Sequence, residues 1–425
     1  MVLVSLRSFN VTRIFLASAA LKVVSAFLML VTSVVDHSKS PRPSVWLSIY
    51  LFFTILFDAV QLRTLFLSSD DRPELTYSSV ASAELAVKVA ILTLEAQGKT
   101  RWLAWNIAEH SPEETAGVFS LGVFGWLNRL FLVGYRKVLA VKDLYPLDTA
   151  LSAPSLRGQF AKNLKRARSR GNELGKFGLL KVLVATLWGP LLMPIPPRLA
   201  LLGFTFCQPF FLHKLLEHLS RPEVQENVGY GFIGASVLIY GGMAVSTALY
   251  WYFQLRVLTM TRTLLVTETF TKATEARVGV QDNNAALTLM STDIERITVG
   301  FRAFHDFWAS FIQVALASWM LYNELGVAFA ASIVLVILSI AALAMLLSLT
   351  GDSQRAWMAG VQKRVGLTAT AITKMKALKT SGLSTAVGDL VQKLRVEELA
   401  KGNRFRKIET CAAVIAFTPM MESSQ

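Results

Sequence analysis

Residues 98–100 come nearest to a motif for phosphate chemistry, because Gly98-Lys99-Thr100 reads like the end of a phosphate-binding loop. Such a loop follows GxxxxGK[ST], in which backbone N–H groups cradle phosphates and the lysine reaches the outer ones. Thr93 occupies the position of the leading glycine, and the triplet follows an apolar stretch rather than a strand. The sequence therefore predicts no catalytic residue and no bound cofactor, so the chain would not be an enzyme by itself.

Metal and disulfide chemistry are not predicted either. The two cysteines, Cys207 and Cys411, both fall in apolar stretches, where they are expected to be packing residues. The five histidines show no HExxH or other ligand spacing. Spacing of this kind is what identifies a metal site in sequence.

Polar and aromatic side chains that lie near or inside apolar stretches offer another kind of chemistry. Aromatic faces bind flat apolar molecules, and a few polar groups orient them. The predicted path for a small organic substrate contains Trp188, Gln208, His213, Arg302, His305, Asp306, Trp308, Gln313 and Trp319. Each of these residues is also compatible with helix packing. Arg302, His305 and Asp306 fall within about one turn, so an ion-pair lock is an equal alternative there.

Charged residues also interrupt the early apolar stretches. Asp58 lies in mid-stretch, and an intramembrane acid is a functional candidate by default, although a helix contact is the simpler interpretation. Glu84 and Lys88 have the i, i+4 spacing, with Glu first, that favours an ion pair within one helix.

Composition indicates that these side chains are positioned by membrane helices. The chain has 425 residues, of which 53% are hydrophobic and 17% charged. A bilayer span needs roughly 20 apolar residues. Stretches of that kind occupy residues 11–35, 45–67, 78–96, 177–216, 230–257, 301–322 and 327–349. The last two are joined by only four residues, 323–326, which predicts a tight helical hairpin. The fold class expected is all-α, a polytopic membrane protein in the lipid bilayer.

The net charge of +14 falls between the apolar stretches. Segments 97–176 and 351–407 are basic, whereas the short connections 68–77 and 217–228 are acidic. Basic loops mark the cytoplasmic side. We therefore expect the N-terminus outside, the linker 97–176 and both long arms, 258–300 and 351–407, in the cytosol, and no nucleic-acid partner.

Prolines break the stretch 177–216. Pro190, Pro194, Pro196 and Pro197 cannot all lie inside one regular helix, since each removes a backbone donor and clashes one turn back. We expect a helix to about Leu187, a non-helical break, and a helix from Arg198 to Leu219. The break either lines a translocation path or marks the point where the chain enters the membrane.

Specific segments carry a resemblance to a known family. Residues 111–120, 126–137 and 142–148 resemble the linker of class C ATP-binding cassette exporters, the multidrug-resistance-associated group in its fungal form. Residues 197–210 resemble that group's first core helix, and 287–297 the segment after its first coupling helix. Residues 372–379 sit where its second coupling helix belongs.

The resemblance implies an organisation. Residues 1–96 would be a partial N-terminal accessory transmembrane domain, and 97–176 a cytoplasmic basic linker with an elbow helix near 118–133. Residues 177–425 would be the first ABC transmembrane domain, incomplete and truncated in its fifth helix. The long cytosolic helical arms would meet nucleotide-binding domains absent from this chain, which bind ATP and magnesium. The remaining transmembrane helices would be further partners.

The resemblance also implies a function. It predicts an ATP-driven exporter of amphipathic or conjugated organic compounds, working by alternating access in the plasma or vacuolar membrane. The alternative is a truncated, non-catalytic regulatory or scaffold module. Docking helices are expected at the arm tips, and the candidates are Asp282, Asn283, Asn284, Leu287 and Met290 in the first arm and Thr368, Ile372, Met375 and Leu378 in the second. The basic run 162–170 could bind anionic lipid, or be a solvated linker.

Overall fold

The computed structural model describes residues 13–68, 72–99, 110–169, 177–220, 226–275 and 289–422. Within these ranges every regular element is a helix, so the all-α prediction is confirmed. The chain divides into two compact units, residues 1–311 and 312–425. Among the described residues, six helices are long and apolar enough to cross a membrane.

Three helices form the N-terminal region: α1 (Arg13–Lys39), α2 (Val45–Ser68) and α3 (Arg72–Glu95). Each contains a candidate membrane span, and the surfaces of these spans are largely exposed and apolar. α2 packs along α3, and α1 contacts α2. Apolar exposure of this extent is what helices surrounded by lipid require.

The linker folds into short helices. α4 (Val118–Gly122), a 3-10 turn (Gly125–Leu127) and α5 (Asn128–Arg136) occupy the predicted elbow. The elbow is thus not one helix, because Phe124 adopts a left-handed backbone with φ of 53°. α4 lies against a later membrane helix so closely that a Cβ on Gly122 would come within 2.9 Å of the side chain of Val245.

The next linker helix, α6 (Ala153–Ser169), carries most of the basic run and anchors the linker. Leu156 and Phe160 on its apolar face are buried against Val182 and Leu183 of the following helix. Burying a large apolar side chain contributes about 1.5–3 kcal/mol. Arg170, the last residue of the basic run, lies outside the described residues.

The proline-rich region is not one helix, as predicted, but consists of α7 (Gly178–Thr186), α8 (Trp188–Leu192) and α9 (Ile195–Leu219). The expected non-helical break is wrong in extent, since only Leu187 and residues 193–194 are not helical. α9 begins three residues before the expected Arg198. Pro196 and Pro197 are tolerated there because the first turn of a helix needs no backbone donor.

The helix that follows α9 is much longer than a membrane span. α10 (Glu226–Glu275) has 50 residues and would extend about 75 Å at 1.5 Å per residue. It runs without interruption from a predicted span into the first arm. The chain returns through a π-helical turn (Leu289–Asp293) and α11 (Ile294–Arg302), both of which contact α10.

α12 (Phe304–Leu325) follows a break at Ala303 and is not among the six candidate spans. The structure therefore does not support a membrane span over 301–322. The first residues of that stretch belong to α11, and the first turn of α12 contains the polar residues His305 and Asp306. A 3-10 turn (Gly326–Ala328), with φ of 57° at Gly326, joins α12 to the next helix. The packed hairpin expected here stays a prediction.

The second unit is built around α13 (Phe329–Thr373) and α15 (Ser384–Glu422), which pack along each other. Between them lies the short helix α14 (Met375–Thr380). Trp357 of α13 stacks on Phe405 of α15, with ring centroids 5.4 Å apart. Arg364 donates to the buried carboxylate of Glu398 at 2.5 Å, which fixes the register of the two helices.

Candidate functional site

A buried charge cluster joins the linker to α10. Arg256 pairs with Glu113, and its second nitrogen lies 2.6 Å from Asp148. Tyr252, one turn before Arg256 on the same face, donates its hydroxyl to Glu113. The Arg256 side chain is 16% exposed and that of Asp148 only 3%. Burying either charge alone would be costly. The close contact between the opposite charges offsets that cost.

The cluster extends to the connection between α1 and α2. Arg42 donates to the backbone carbonyl of Glu114 and lies 3.9 Å from Asp148. The buried Glu114 carboxylate accepts the backbone N–H of Thr149 at 2.8 Å. We call the set of charged residues the linker hub: Arg42, Glu113, Glu114, Asp148 and Arg256. The linker hub ties the α1–α2 connection, two separate stretches of the linker and α10 together.

The pKa of Asp148 reflects these contacts. Burial acts to raise it, but hydrogen bonds from the backbone N–H of Ala150 and from Arg256 outweigh burial and hold it below the ordinary value. The carboxylate is therefore ionised in the folded linker at neutral pH.

A second cluster connects α9, α10 and α12. Arg198 lies 2.8 Å from Asp306, and its guanidinium lies over the Tyr250 ring, 4.9 Å from the centroid. Tyr250 also donates its hydroxyl to Asp306 at 3.2 Å. These three residues, which we call the α9–α12 lock, form an ion pair braced by an aromatic ring. The expected lock among Arg302, His305 and Asp306 is different, because Asp306 pairs with Arg198 and Arg302 is exposed.

Two buried polar residues lie at the break before α12. Gln254 donates from Nε2 to the backbone carbonyls of Phe301 and Arg302, at 3.0 and 3.1 Å. These carbonyls end α11, where a helix leaves acceptors unpaired. His305 is 1% exposed, and its Nδ1 accepts the indole N–H of Trp308 at 3.1 Å.

The other predicted path residues do not join this cluster in the described part of the chain. Trp188 begins α8 and is 60% exposed. On α9, Gln208 donates to the Tyr240 hydroxyl at 3.4 Å, and His213 is exposed. Gln313 and Trp319 belong to the second unit, where Trp319 is 56% exposed. The structure thus brings together His305, Asp306 and Trp308 of the nine candidates.

The structure describes only some of the candidate docking residues at the arm tips. Asp282, Asn283, Asn284 and Leu287 lie outside the described residues, and Met290 lies in the π-helical turn. In the second arm, Thr368 and Ile372 belong to the end of α13, whereas Met375 and Leu378 lie on α14. Lys374, whose backbone is not helical, separates α13 from α14.

The intramembrane charges form a network. Glu84 and Lys88 make the predicted ion pair at 2.7 Å, and Lys88 also contacts Asp58 at 2.5 Å. Lys22 lies 3.6 Å from Glu84 and 4.0 Å from Asp58. Asp58 is thus a helix contact, as the simpler interpretation held, and the four charges connect α1, α2 and α3.

The lysine of the Gly98-Lys99-Thr100 triplet and the two cysteines can also be placed in the structure. The amino group of Lys99 is buried, 3.8 Å from Asp36 and 3.9 Å from Glu95. Cys207 and Cys411 are exposed, which corrects the expectation that they pack inside. Within the described ranges no group of three or more His, Cys, Asp or Glu side chains could hold a metal ion.

Comparison with known proteins identifies the relatives. The chain is 49% identical over 424 residues to ABC-type transporter braE of Annulohypoxylon truncatum, a match covering 100% of the chain and 28% of that protein. It is a homologue of fungal ABC transporters. Identity is 41% to ABC transporter FGM5 of Gibberella zeae, over 95% of the chain and 27% of the relative. It is 35% to ABC multidrug transporter B of Aspergillus fumigatus, over 93% and 27%. No family model matches.

The chain therefore spans a little over a quarter of the length of these relatives. The six candidate spans and the ABC transporter relatives together make it an integral multi-pass membrane protein. The comparisons confirm the resemblance to ABC transporters, while the class C assignment and export stay predictions.

Sequence reasoning on this ABC transporter homologue missed four partners in these clusters. Arg198, Tyr250 and Gln254 complete the clusters around α12, and Arg256 is the centre of the linker hub. One signal was present for the arginines, because each adjoins an apolar stretch where an unpaired charge is costly. Their partners are remote in sequence, so the pairing itself had no local signal.

Proposed function

We propose that this chain is membrane machinery of a class C, ATP-driven exporter that moves amphipathic or conjugated organic compounds by alternating access. The whole-length similarity to fungal ABC transporters supports the transport function. The linker segments 111–120, 126–137 and 142–148 support class C, because their residues build the linker hub and the folded elbow around it.

The observation that carries the proposal is the second arm. α13 begins with an apolar span and continues to Thr373 through the polar, basic sequence of the second arm. The short helix α14 follows at its end. Helices of this length transmit rigid motion over tens of ångströms. α14 would dock in a groove of a nucleotide-binding domain, where ATP and magnesium act, and would move with that domain.

Substrate would be bound between apolar and aromatic surfaces supplied by this chain and by further transmembrane helices. Trp308 and His305 lie side by side near the α9–α12 lock, and exposed Trp188 offers an aromatic face. The α9–α12 lock would set the position of α12 relative to α9 and so influence the opening of that path. The membrane would be the plasma or the vacuolar membrane.

The experiment uses inside-out vesicles that contain the complete gene product, with a panel of fluorescent amphipathic dyes and their anionic conjugates. Uptake that requires hydrolysable ATP is the expected result. Uptake that is independent of ATP, or none for any compound, would contradict the proposal. A fluorescent fusion in the fungal host assigns the membrane.

A matched pair of variants tests the coupling role of α14. Met375 on α14 and Met358 on the same arm are 41% and 42% exposed, respectively. Met375→Asp places a charge on the proposed docking surface, so ATP-dependent uptake should be lost while the protein remains folded. Met358→Asp should leave uptake unchanged. Equal uptake by the two variants would argue against docking by α14.

A further inference from the structure

A groove of about 560 Å³ lies between α1 and α2. Its apolar wall is formed by Leu28, Val31 and Val35 of α1 and by Leu47 of α2. These side chains belong to two candidate membrane spans, so the groove lies at the depth of lipid chains rather than in water. The occupant that the wall fits is a long, flexible hydrocarbon.

The end of the groove at the α1–α2 connection is polar. Asp36, Lys39 and Ser44 line it. Asp36 and Lys39 are three residues apart on one helix, so their side chains share a face. The end therefore presents a carboxylate and an ammonium group close together.

Both charges have capacity for a ligand. The Asp36 side chain is 34% exposed although its Oδ2 atom is buried 3.8 Å from Lys99, so the exposed part of the carboxylate is open to a donor in the groove. Lys39 makes no ion pair with any residue that the structure describes. A carboxylate has two oxygens and several acceptor positions, so a hydrogen-bond donor is its natural complement.

Aromatic residues mark the same end as an interface. Trp46 and Tyr50, on the first turns of α2, also line the groove, and Trp46 is 84% exposed. Trp and Tyr rings prefer the headgroup level of a bilayer, where one edge is apolar and the other wet. The polar end is therefore at headgroup depth and the apolar wall at acyl-chain depth.

We propose that this groove binds one molecule of phosphatidylethanolamine. One acyl chain lies along the apolar wall, the primary ammonium donates to Asp36, and the phosphate pairs with Lys39. The quaternary amine of phosphatidylcholine has no N–H to donate, so it cannot satisfy the Asp36 oxygen. The headgroup thus determines which phospholipid is held, and the wall determines where the chain lies.

The experiment is native mass spectrometry of the purified chain in detergent, titrated with phosphatidylethanolamine or phosphatidylcholine of identical acyl chains. The wild type should bind one phosphatidylethanolamine about tenfold more tightly than phosphatidylcholine. Asp36→Asn should remove this preference. Lys39→Gln should weaken both lipids to a similar extent. Equal affinity of the wild type for the two lipids would overturn the proposal.

Two phenylalanine variants on α1 test the position of the chain. Thr32 lines the groove, whereas Val34 is 64% exposed and does not line it. Thr32→Phe fills the groove and should lower the affinity about tenfold or more, with Val34→Phe as the matched control. Equal affinity of the two variants would place the lipid elsewhere and refute the site. The headgroup comparison in the wild type decides the matter if Thr32→Phe does not fold.

Discussion

Arg256 and Asp148 are 108 residues apart in sequence, and their side chains lie 2.6 Å apart in a buried ion pair. One residue belongs to the longest membrane helix and the other to the linker. Arg42, from the connection between α1 and α2, approaches the same carboxylate at 3.9 Å. The linker hub therefore holds α10, the linker and the α1–α2 connection together through one buried carboxylate.

Replacing Arg256 should destabilise the linker strongly. Arg256→Ala removes the cation next to the buried Glu113 carboxylate and leaves Asp148 only Arg42, 3.9 Å away, and removing one partner of a buried pair costs about 3–5 kcal/mol. The free energy of unfolding in detergent and the rate of tryptic cleavage within 110–169 measure the effect. Arg262→Ala is the control on the same helix, because its pair with Glu295 is exposed and contributes about 1 kcal/mol or less. Similar losses in both variants would contradict a linker hub.

The lowered pKa of Asp148 predicts a pH dependence. The folded carboxyl titrates below its ordinary value of 3.8, so its contribution to stability is complete above that value and is lost as the pH falls through the folded pKa. Unfolding of the wild type and Asp148→Asn should therefore differ by a constant amount above about pH 5, and the two should converge in more acidic solution. A difference that does not change between neutral and acidic pH would show that another group is responsible.

Local features of this fold could be predicted from sequence, and remote contacts could not. The ion pair of Glu84 with Lys88 follows from i, i+4 spacing, and the break before α9 follows from proline chemistry. The continuity of α10 from span to arm was missed, because hydropathy marks where the solvent changes and not where a helix ends. The start of α12 was misplaced since Ala303 carries no breaking signal.

Some residues of the candidate site could be named from the sequence, but the side chains with which they pair could not. Asp306 was one of three residues for which a lock was an equal alternative to a substrate contact, and its cation is Arg198 on another helix rather than nearby Arg302. Helix packing alone decides which of two arginines reaches a carboxylate. At the second arm tip, Met375 and Leu378 fall on the short helix, while Thr368 and Ile372 fall before it, because α13 continues to Thr373.

The α9–α12 lock should show energetic coupling between its two charges. In a double-mutant cycle, Arg198→Met and Asp306→Ala together should cost less than the sum of the single changes, with an interaction energy of about 0.5–3 kcal/mol. The free energy of unfolding of the four proteins supplies the cycle. The same cycle on Asp293 and Arg296, an exposed pair at 3.7 Å, should give about 0.5 kcal/mol or less. An additive cycle at Arg198 and Asp306 would rule out the lock.

Two glycines of α15 should respond in opposite directions to the same change. A Cβ on Gly402 would lie 3.0 Å from two atoms of the Trp357 indole, whereas a Cβ on Gly388 would meet no atom within 4 Å. Gly388→Ala should stabilise the arm by about 0.5–1 kcal/mol, because alanine loses less backbone entropy on forming a helix. Gly402→Ala should instead destabilise it by about 1–3 kcal/mol, since the indole stacked on Phe405 must move. Denaturant unfolding followed by tryptophan fluorescence measures both, and a stabilising Gly402→Ala would mean that α13 and α15 pack less closely at this level than the structure has them.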